Sequence, residues 1–341
     1  MKVSIEQIAG CLTNQHLGLI LMPTEQCNFR CTYCYEDFSI GKMTSDVILG
    51  VKNLIEQRIA ELKSLSIEWF GGEPLVAKNV IYDIGQHIKN LLALHPQVKY
   101  QSGMTTNGFN LKGETVTKLL DLDIKGFQIS LDGPREWHNK TRLRLSGQGS
   151  FDEIWNNLLA LKKVERDFSV TLRVHVTPEN LDYLPDLITQ INQEFGSDAR
   201  FKVFFKAIEN LGGANSGSFK TLKGAEKSEI VAGLYKLLAN SEKISSMGKQ
   251  QQPYICYAAK PNNLVVRANG TIAKCTVVFN DDRNQLGKIN PDGTLTISAE
   301  KLNLWVRGMK TMEKDTLHCP LHGLPKLEAK SRVIPIMAVN Q

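Results

Sequence analysis

At 341 residues the chain has room for one large α/β domain carrying an appendage. A composition of 42% hydrophobic and 22% charged residues describes a chain that buries a real core, which excludes collagenous, low-complexity and disordered classes. The formal net charge of +6 is spread over scattered Lys and Arg, so nucleic acid is not expected as a partner. No apolar run is long enough to span a membrane and the N-terminus lacks the apolar core of a signal peptide, so a cytoplasmic protein is expected.

In chain order, residues 1–16 read as an N-terminal extension. Residues 17–22, LGLILM, read as a buried strand. Further short apolar runs at 66–70, 99–105, 125–131, 169–176 and 201–206 bring the number of strands to six. Between them, 44–63, 77–94, 113–121, 150–165 and 181–194 carry apolar residues at helical spacing, as in Val47, Val51, Leu54 and Ile55. Strict alternation predicts a parallel sheet with right-handed crossovers, here a partial (β/α)6 TIM-like barrel over 17–210. Residues 210–218, NLGGANSGS, mark a boundary. Beyond it the reading places a helical linker over 211–250 and a small C-terminal domain over 251–341.

The seven cysteines are sparse and odd in number, which suits metal ligation or catalysis in a reducing compartment better than disulfides. Cys11 stands alone and reads as a small buried hydrophobe. Cys27, Cys31 and Cys34 fall within eight residues. Three thiolates without an adjacent fourth ligand fit a zinc site completed from a distance, or an iron–sulfur cube with one iron left open. Their loop follows the first strand at its C-terminal end, where the loops of α/β barrels converge on chemistry.

The fragment CNFRCTYCYE, the run Trp69-Phe70-Gly71-Gly72-Glu73-Pro74, the run Thr105-Thr106-Asn107-Gly108, the run Ile129-Ser130-Leu131-Asp132-Gly133-Pro134, and then His138 and Arg142 recur in an order that resembles the radical S-adenosylmethionine (SAM) enzymes. The resemblance covers roughly residues 17–210. It implies that Cys27, Cys31 and Cys34 hold three irons of a [4Fe–4S] cluster, with SAM on the fourth. Reductive cleavage of SAM would give a 5′-deoxyadenosyl radical, with a flavodoxin- or ferredoxin-like protein as electron donor. It further implies that Gly71, Gly72 and Glu73 hold the methionyl amino group, that Asn107 joins the cofactor site, and that Ser130 meets the ribose or carboxylate. Arg142 or Arg173 would pair with the carboxylate, a barrel-wall salt bridge being the alternative for each. Tyr33 reads as an adenine-pocket residue or a core aromatic, and Asp132 as a brace for the turn that follows it.

In the last quarter, 264–267 and 271–274 flank Ala268-Asn269-Gly270, an Asn-Gly hairpin signal, with Cys256 before it and Cys275 after. This resembles the opening of the SPASM and twitch domains, which bind auxiliary clusters. The later half departs from that pattern, because only Cys319 follows, and His322 stands where a twitch domain has its last cysteine. The resemblance thus implies one auxiliary iron–sulfur cluster, of the [4Fe–4S] type, on Cys256, Cys275 and Cys319, with His322 a candidate fourth ligand. Thr276 follows Cys275, where sulfatase-maturing relatives carry an Asp base. That turns the reading toward enzymes that oxidise or crosslink a side chain of a ribosomally made precursor peptide. A small-molecule dehydrogenase and a non-catalytic iron–sulfur or zinc protein remain the alternatives.

Overall fold

A computed structural model describes residues 3–211, 217, 219–239 and 254–327, together with the backbone of 333–336. Six parallel strands form its centre: β1 (His16–Leu21), β3 (Ser64–Trp69), β4 (Lys99–Thr106), β5 (Gly126–Leu131), β7 (Ser169–Val176) and β8 (Phe201–Ala207), hydrogen-bonded in that order. Helices α2 (Ser45–Ile59), α3 (Lys78–Leu94), α4 (Glu114–Asp121), α6 (Phe151–Lys162) and α7 (Leu184–Phe195) make most of the crossovers. Each buries the apolar stripe that the sequence shows. On α2, Thr44 caps the N-terminus through Val47 N–H, and Val47, Val51, Leu54, Ile55 and Ile59 face the sheet. The expected partial barrel is therefore present, with element ends shifted by only a few residues.

Three features lie outside the sequence reading. First, β2 (Phe29–Cys31) and β6 (Arg142–Arg144), the latter directly after α5 (Arg135–Thr141), pair antiparallel as a separate ribbon. Second, the C-terminal strands do not stand apart from the barrel. β9 (Asn263–Val266) runs parallel to β1, and β10 (Thr271–Ala273), β11 (Gly287–Ile289), β12 (Leu295–Ser298) and β13 (Val333–Ile336) continue the same sheet antiparallel. Third, the N-terminal extension contains a docked helix, α1 (Ile5–Leu12), closed by a capping box between Ser4 and Gln7. Val3 and Ile8 pack with Ile255, Ala259, Met309 and Leu317, and Cys11, half-buried rather than buried, lies against that cluster.

Within the expected linker, α8 (Gly224–Lys236) is a helix, and 212–216, 218 and 240–250 lie outside the described residues. The C-terminal region adds α9 (Ala299–Thr311) and α10 (Lys314–His318). A buried ion pair ties this region to the barrel: Arg267 donates to both Glu25 oxygens, at 3.1 and 2.6 Å, and its guanidinium lies 4.7 Å from the Phe279 ring.

Candidate active site

The thiol loop leaves the C-terminal end of β1 and is held by the β2–β6 ribbon, which sets Cys31 opposite Arg142. Phe29 anchors the ribbon, buried and edge-on to Phe109. Phe29 N–H donates to Cys27 Sγ at 3.3 Å, and Cys34 N–H to Cys31 O at 3.1 Å. All three thiols are free and half-buried. Burial raises the Cys31 thiol and pushes Cys27 and Cys34 up to about 12, and in each case a neighbouring anionic group adds to the rise. Such thiols stay protonated until a cation takes the proton's place.

A polar network stands behind them. Tyr33 Oη donates to Asp132 at 2.8–2.9 Å and accepts from Arg142 Nη1 at 2.8 Å. Asp132 also accepts from Thr141 Oγ1 at 2.6 Å and from His175 Nδ1 at 3.0 Å. Burial opposes the Asp132 charge, but the His175 hydrogen bond and the Arg142 charge outweigh it, leaving the carboxyl well below the usual range. His138 is fully buried between Asp132 N–H and Ser150 Oγ, and burial pushes it down to about 3. Arg142 is buried too, and Cys31, Tyr33 and Asp132 keep it charged against that burial. Its Nε, like that of Arg173 on β7, is buried without a hydrogen-bond partner. Ser130 pairs in register with Arg173 across β5 and β7 and, among the described residues, has no side-chain partner. The arginines and Ser130 thus offer unspent polar groups.

Other expected site residues are spent inside the protein. Glu73 is wholly buried, and its carboxylate accepts from Leu75 N–H, Thr106 Oγ1 and Asn107 N–H at 2.6–3.0 Å. It braces the β3 and β4 loops. Asn107 is likewise committed, to Asn28 Oδ1 and to Phe109 N–H. A Cβ on Gly71, whose φ is +122°, would lie 2.2 Å from Thr24 O, and one on Gly72 would lie 2.6 Å from Gln26 O. The close approach that needs these glycines is that of the thiol loop's own backbone. Asp132 does not brace its turn through its side chain; it holds Tyr33, Thr141 and His175. Sequence reasoning missed His175, Thr141 and Asn180, whose amide donates to the carbonyls of Asp132 and His175. Only the position of His175, two residues beyond Arg173 on one strand face, hinted at it.

The segments that carry the second set of thiols lie side by side. Cys256 N–H donates to Leu317 O, and Cys275 N–H to Asn284 Oδ1, both at 2.9 Å. Burial raises Cys256, and Cys319 adds to the rise; burial pushes Cys275 up to about 11, and Cys256 and Cys319 add to it. Lys274 lies fully buried behind them, donating to the carbonyls of Lys260 and Asn263, and burial pushes it down to about 7 against the pull of Cys256. His322 does not join by contact. It is exposed, and its backbone N–H closes a turn on Cys319 O. Thr276 is spent as well: its carbonyl accepts from Tyr35 Oη at 3.0 Å and its hydroxyl meets Tyr257 Oη at 2.9 Å. Those two tyrosines directly follow Cys34 and Cys256, so one node joins the two thiol sets. Among the described residues, no three His, Cys, Asp or Glu side chains close on a single-ion position. A cubane makes a different demand, since each thiolate takes its own iron.

The family model of the radical SAM superfamily matches residues 21–191, half of the chain. The chain belongs to the radical SAM superfamily. An uncharacterised protein of Methanocaldococcus jannaschii is 26% identical over 83% of this chain and 92% of its own length. The GTP 3′,8-cyclase of Haemophilus influenzae is 29% identical over 50% of this chain; the match spans 46% of the cyclase. Among solved structures, native anSMEcpe with bound AdoMet and the Cp18Cys peptide aligns at TM-score 0.59 and 19% identity, covering 80% of this chain and 77% of that one. Streptococcus suis SuiB bound to the precursor peptide SuiA aligns at TM-score 0.54 and 15% identity, over 88% and 67%. These two likenesses concern the fold. Membership in the radical SAM superfamily implies a [4Fe–4S] cluster and SAM. The residues present fit both: three free thiols on one loop, and two buried guanidinium N–H donors with no protein partner.

Proposed function

We propose that this radical SAM enzyme modifies a side chain of a ribosomally made peptide, with an auxiliary cluster on Cys256, Cys275 and Cys319. The observation that carries the reading is that hydrogen bonds bring the three thiol segments side by side, Cys256 N–H on Leu317 O and Tyr257 Oη on Thr276 Oγ1, and that Thr276 also meets Tyr35 beside the first triad. The peptides bound to anSMEcpe and SuiB, whose folds this chain shares, support a peptide substrate. Cys27, Cys31 and Cys34 would hold the first cluster, and Arg142 and Arg173 the SAM carboxylate, with Ser130 close by on the lumen face. When bound, these groups supply one-electron cleavage of a sulfonium and, from it, hydrogen abstraction at carbon. The protein's part is to orient and to exclude. Asp132, His175 and Thr141 fix the Tyr33 hydroxyl, and Tyr33 keeps the Arg142 fork aimed. Phe29 and Phe109 pack edge to face behind the loop. Thr276, with its hydroxyl and carbonyl engaged, supplies no base, which argues against cysteine-to-formylglycine chemistry.

The test is anaerobic reconstitution with iron and sulfide counted. Incubation with SAM, reductant and a precursor peptide encoded beside the gene follows. Two clusters' worth of iron and a mass change on the peptide support the reading; one cluster and an unaltered peptide refute it. The identity shared with GTP 3′,8-cyclase favours a second reading, a small-molecule substrate. Turnover of a nucleotide with no change in any peptide would select it.

A further inference from the structure

Three basic side chains are buried among the described residues: Arg142, Arg267 and Lys274. Two of them answer to a carboxylate. Arg267 grips both oxygens of Glu25, and Arg142 reaches Asp132 through the Tyr33 hydroxyl that both touch. Lys274 is the deepest of the three, at 0% exposure. Its ammonium donates to two carbonyls, Lys260 O at 2.5 Å and Asn263 O, and it forms no ion pair with any described residue. Carbonyls satisfy N–H donors but carry no net charge. Burying a cation on such partners alone is costly, and a methionine of similar length would fill the space without that cost.

The place of this cation follows from the two thiol segments that it joins. Lys274 comes at the end of β10, directly before Cys275, and Asn284 Oδ1 accepts from both backbone N–H groups at 2.9 Å. Its head group reaches back to Lys260, the residue that closes the single turn opened by Cys256. In that turn Ala259 N–H donates to Cys256 O and Lys260 N–H to Tyr257 O, both at 3.0 Å. The bond from Cys256 N–H to Leu317 O brings the segment of Cys319 to the same turn. Cys256 is the one titratable group among the described residues whose charge bears on Lys274, and Lys274 in return favours the Cys256 thiolate. The buried charge therefore has its electrostatic partner among the thiols. As thiolates on a cubane, these groups supply the negative charge that a buried ammonium calls for.

We infer that Lys274 is the built-in counter-ion of the auxiliary cluster and raises its reduction potential. The inference rests on the proposed reading of Cys256, Cys275 and Cys319 as cluster ligands. Reduction makes a cluster more negative by one charge, so a fixed cation beside it stabilises the reduced state more than the oxidised one. The cluster then takes up an electron more readily. Because Lys274 has no solvent contact, water and salt screen the effect little. The two carbonyls hold the ammonium in place, so the charge cannot swing away as a surface lysine's would.

The test is a redox titration of the reconstituted full chain with SAM, followed by electron paramagnetic resonance. The auxiliary cluster is the one whose signal does not change when SAM is added. Lys274→Met, which keeps the length and drops the charge, should lower its potential by at least about 59 mV, a tenfold change in the one-electron equilibrium. Lys274→Gln, neutral but able to donate to a carbonyl, should lower it too, and serves if the Met variant fails to fold. Lys274→Arg, which keeps the charge, should stay near the wild-type value. The potential of the first cluster should not move in any of them. Circular dichroism and iron counts establish folding and loading for each variant. A folded neutral variant that carries one cluster, where Lys274→Arg carries two, also supports the inference. An unchanged auxiliary potential in the neutral variants, or an equal fall in Lys274→Arg, would mean that Lys274 only clamps carbonyls, and overturns it. Iron for a single cluster in the wild-type chain would overturn the reading of the thiols itself, before any variant is made; a potential that fails to move overturns this inference alone.

Discussion

Around Cys27, Cys31 and Cys34 the neighbours are charged, buried and mutually compensated: Arg142 faces Cys31, Asp132 faces His175, and Glu73 draws three donors. Around Cys256, Cys275 and Cys319 they are backbone groups, amides and hydroxyls, with Lys274 the buried cation. The first arrangement leaves guanidinium donors over for a charged ligand beyond the thiols; the second leaves none of that kind among the described residues. On the proposed reading, a site for a charged cofactor and a site for a cluster alone would differ in that surplus. It is costly to bury, and the fold keeps it only where something will use it.

The largest effect should come from breaking the first side of this contrast. Replacing Cys27, Cys31 and Cys34 together with Ala should remove roughly four irons and abolish deoxyadenosine release, because the open iron position depends on that triad. Retained release in the triple variant would end the reading. The matching change on the other side, Cys256→Ala with Cys275→Ala, should lower the iron count by a similar amount yet leave SAM cleavage measurable by chromatography. Loss of cleavage in a folded double variant would show that the two regions do not divide the work.

Stability measurements sharpen the comparison. Glu25→Ala leaves Arg267 buried and unpaired at the junction of the two regions. A loss of about 3–5 kcal/mol is expected in urea unfolding, the scale for breaking a buried pair from one side. A loss under about 1 kcal/mol would mean that the junction is relaxed in solution. Asp132→Asn should cost about 2 kcal/mol at neutral pH, the scale of a hydrogen-bonded buried charge. Asp132 has a folded-state pKa below its unfolded value. Its contribution is therefore complete above the ordinary carboxylate range and fades only as pH falls through the lower, folded value. The gap between wild type and variant should stay flat from pH 8 down to about 4 and narrow below that. A gap that closes already near pH 6 would assign the stabilisation to His175 instead.

The smallest effect is expected from His322→Ala. With the imidazole exposed, the variant should keep its full iron content and an unchanged auxiliary-cluster spectrum in electron paramagnetic resonance. An altered spectrum would bring His322 back as fourth ligand and narrow the difference between the two regions.

Much of this protein is written in local pattern. Six apolar runs and five helical stripes gave the barrel, because burial against a parallel sheet demands continuous apolar strands and one-sided helices whatever the neighbours are. The thiol spacings likewise marked both groups of cysteines. Their surroundings were not legible. Glu73 and Asn107 read as ligand contacts, and only the folded chain shows their polar atoms turned inward on Thr106, Leu75 and Asn28. His175 lies 142 residues from the Tyr33 that it touches, and Arg267 lies 242 from Glu25. The hairpin's identity could be read from Asn269-Gly270, but its parallel seat on β1, which makes the C-terminal strands part of the barrel's own sheet, could not. Periodicity records which side of an element meets the core. Which distant polar groups satisfy one another there, and where a buried charge is left over for a ligand, is fixed only when the chain closes on itself.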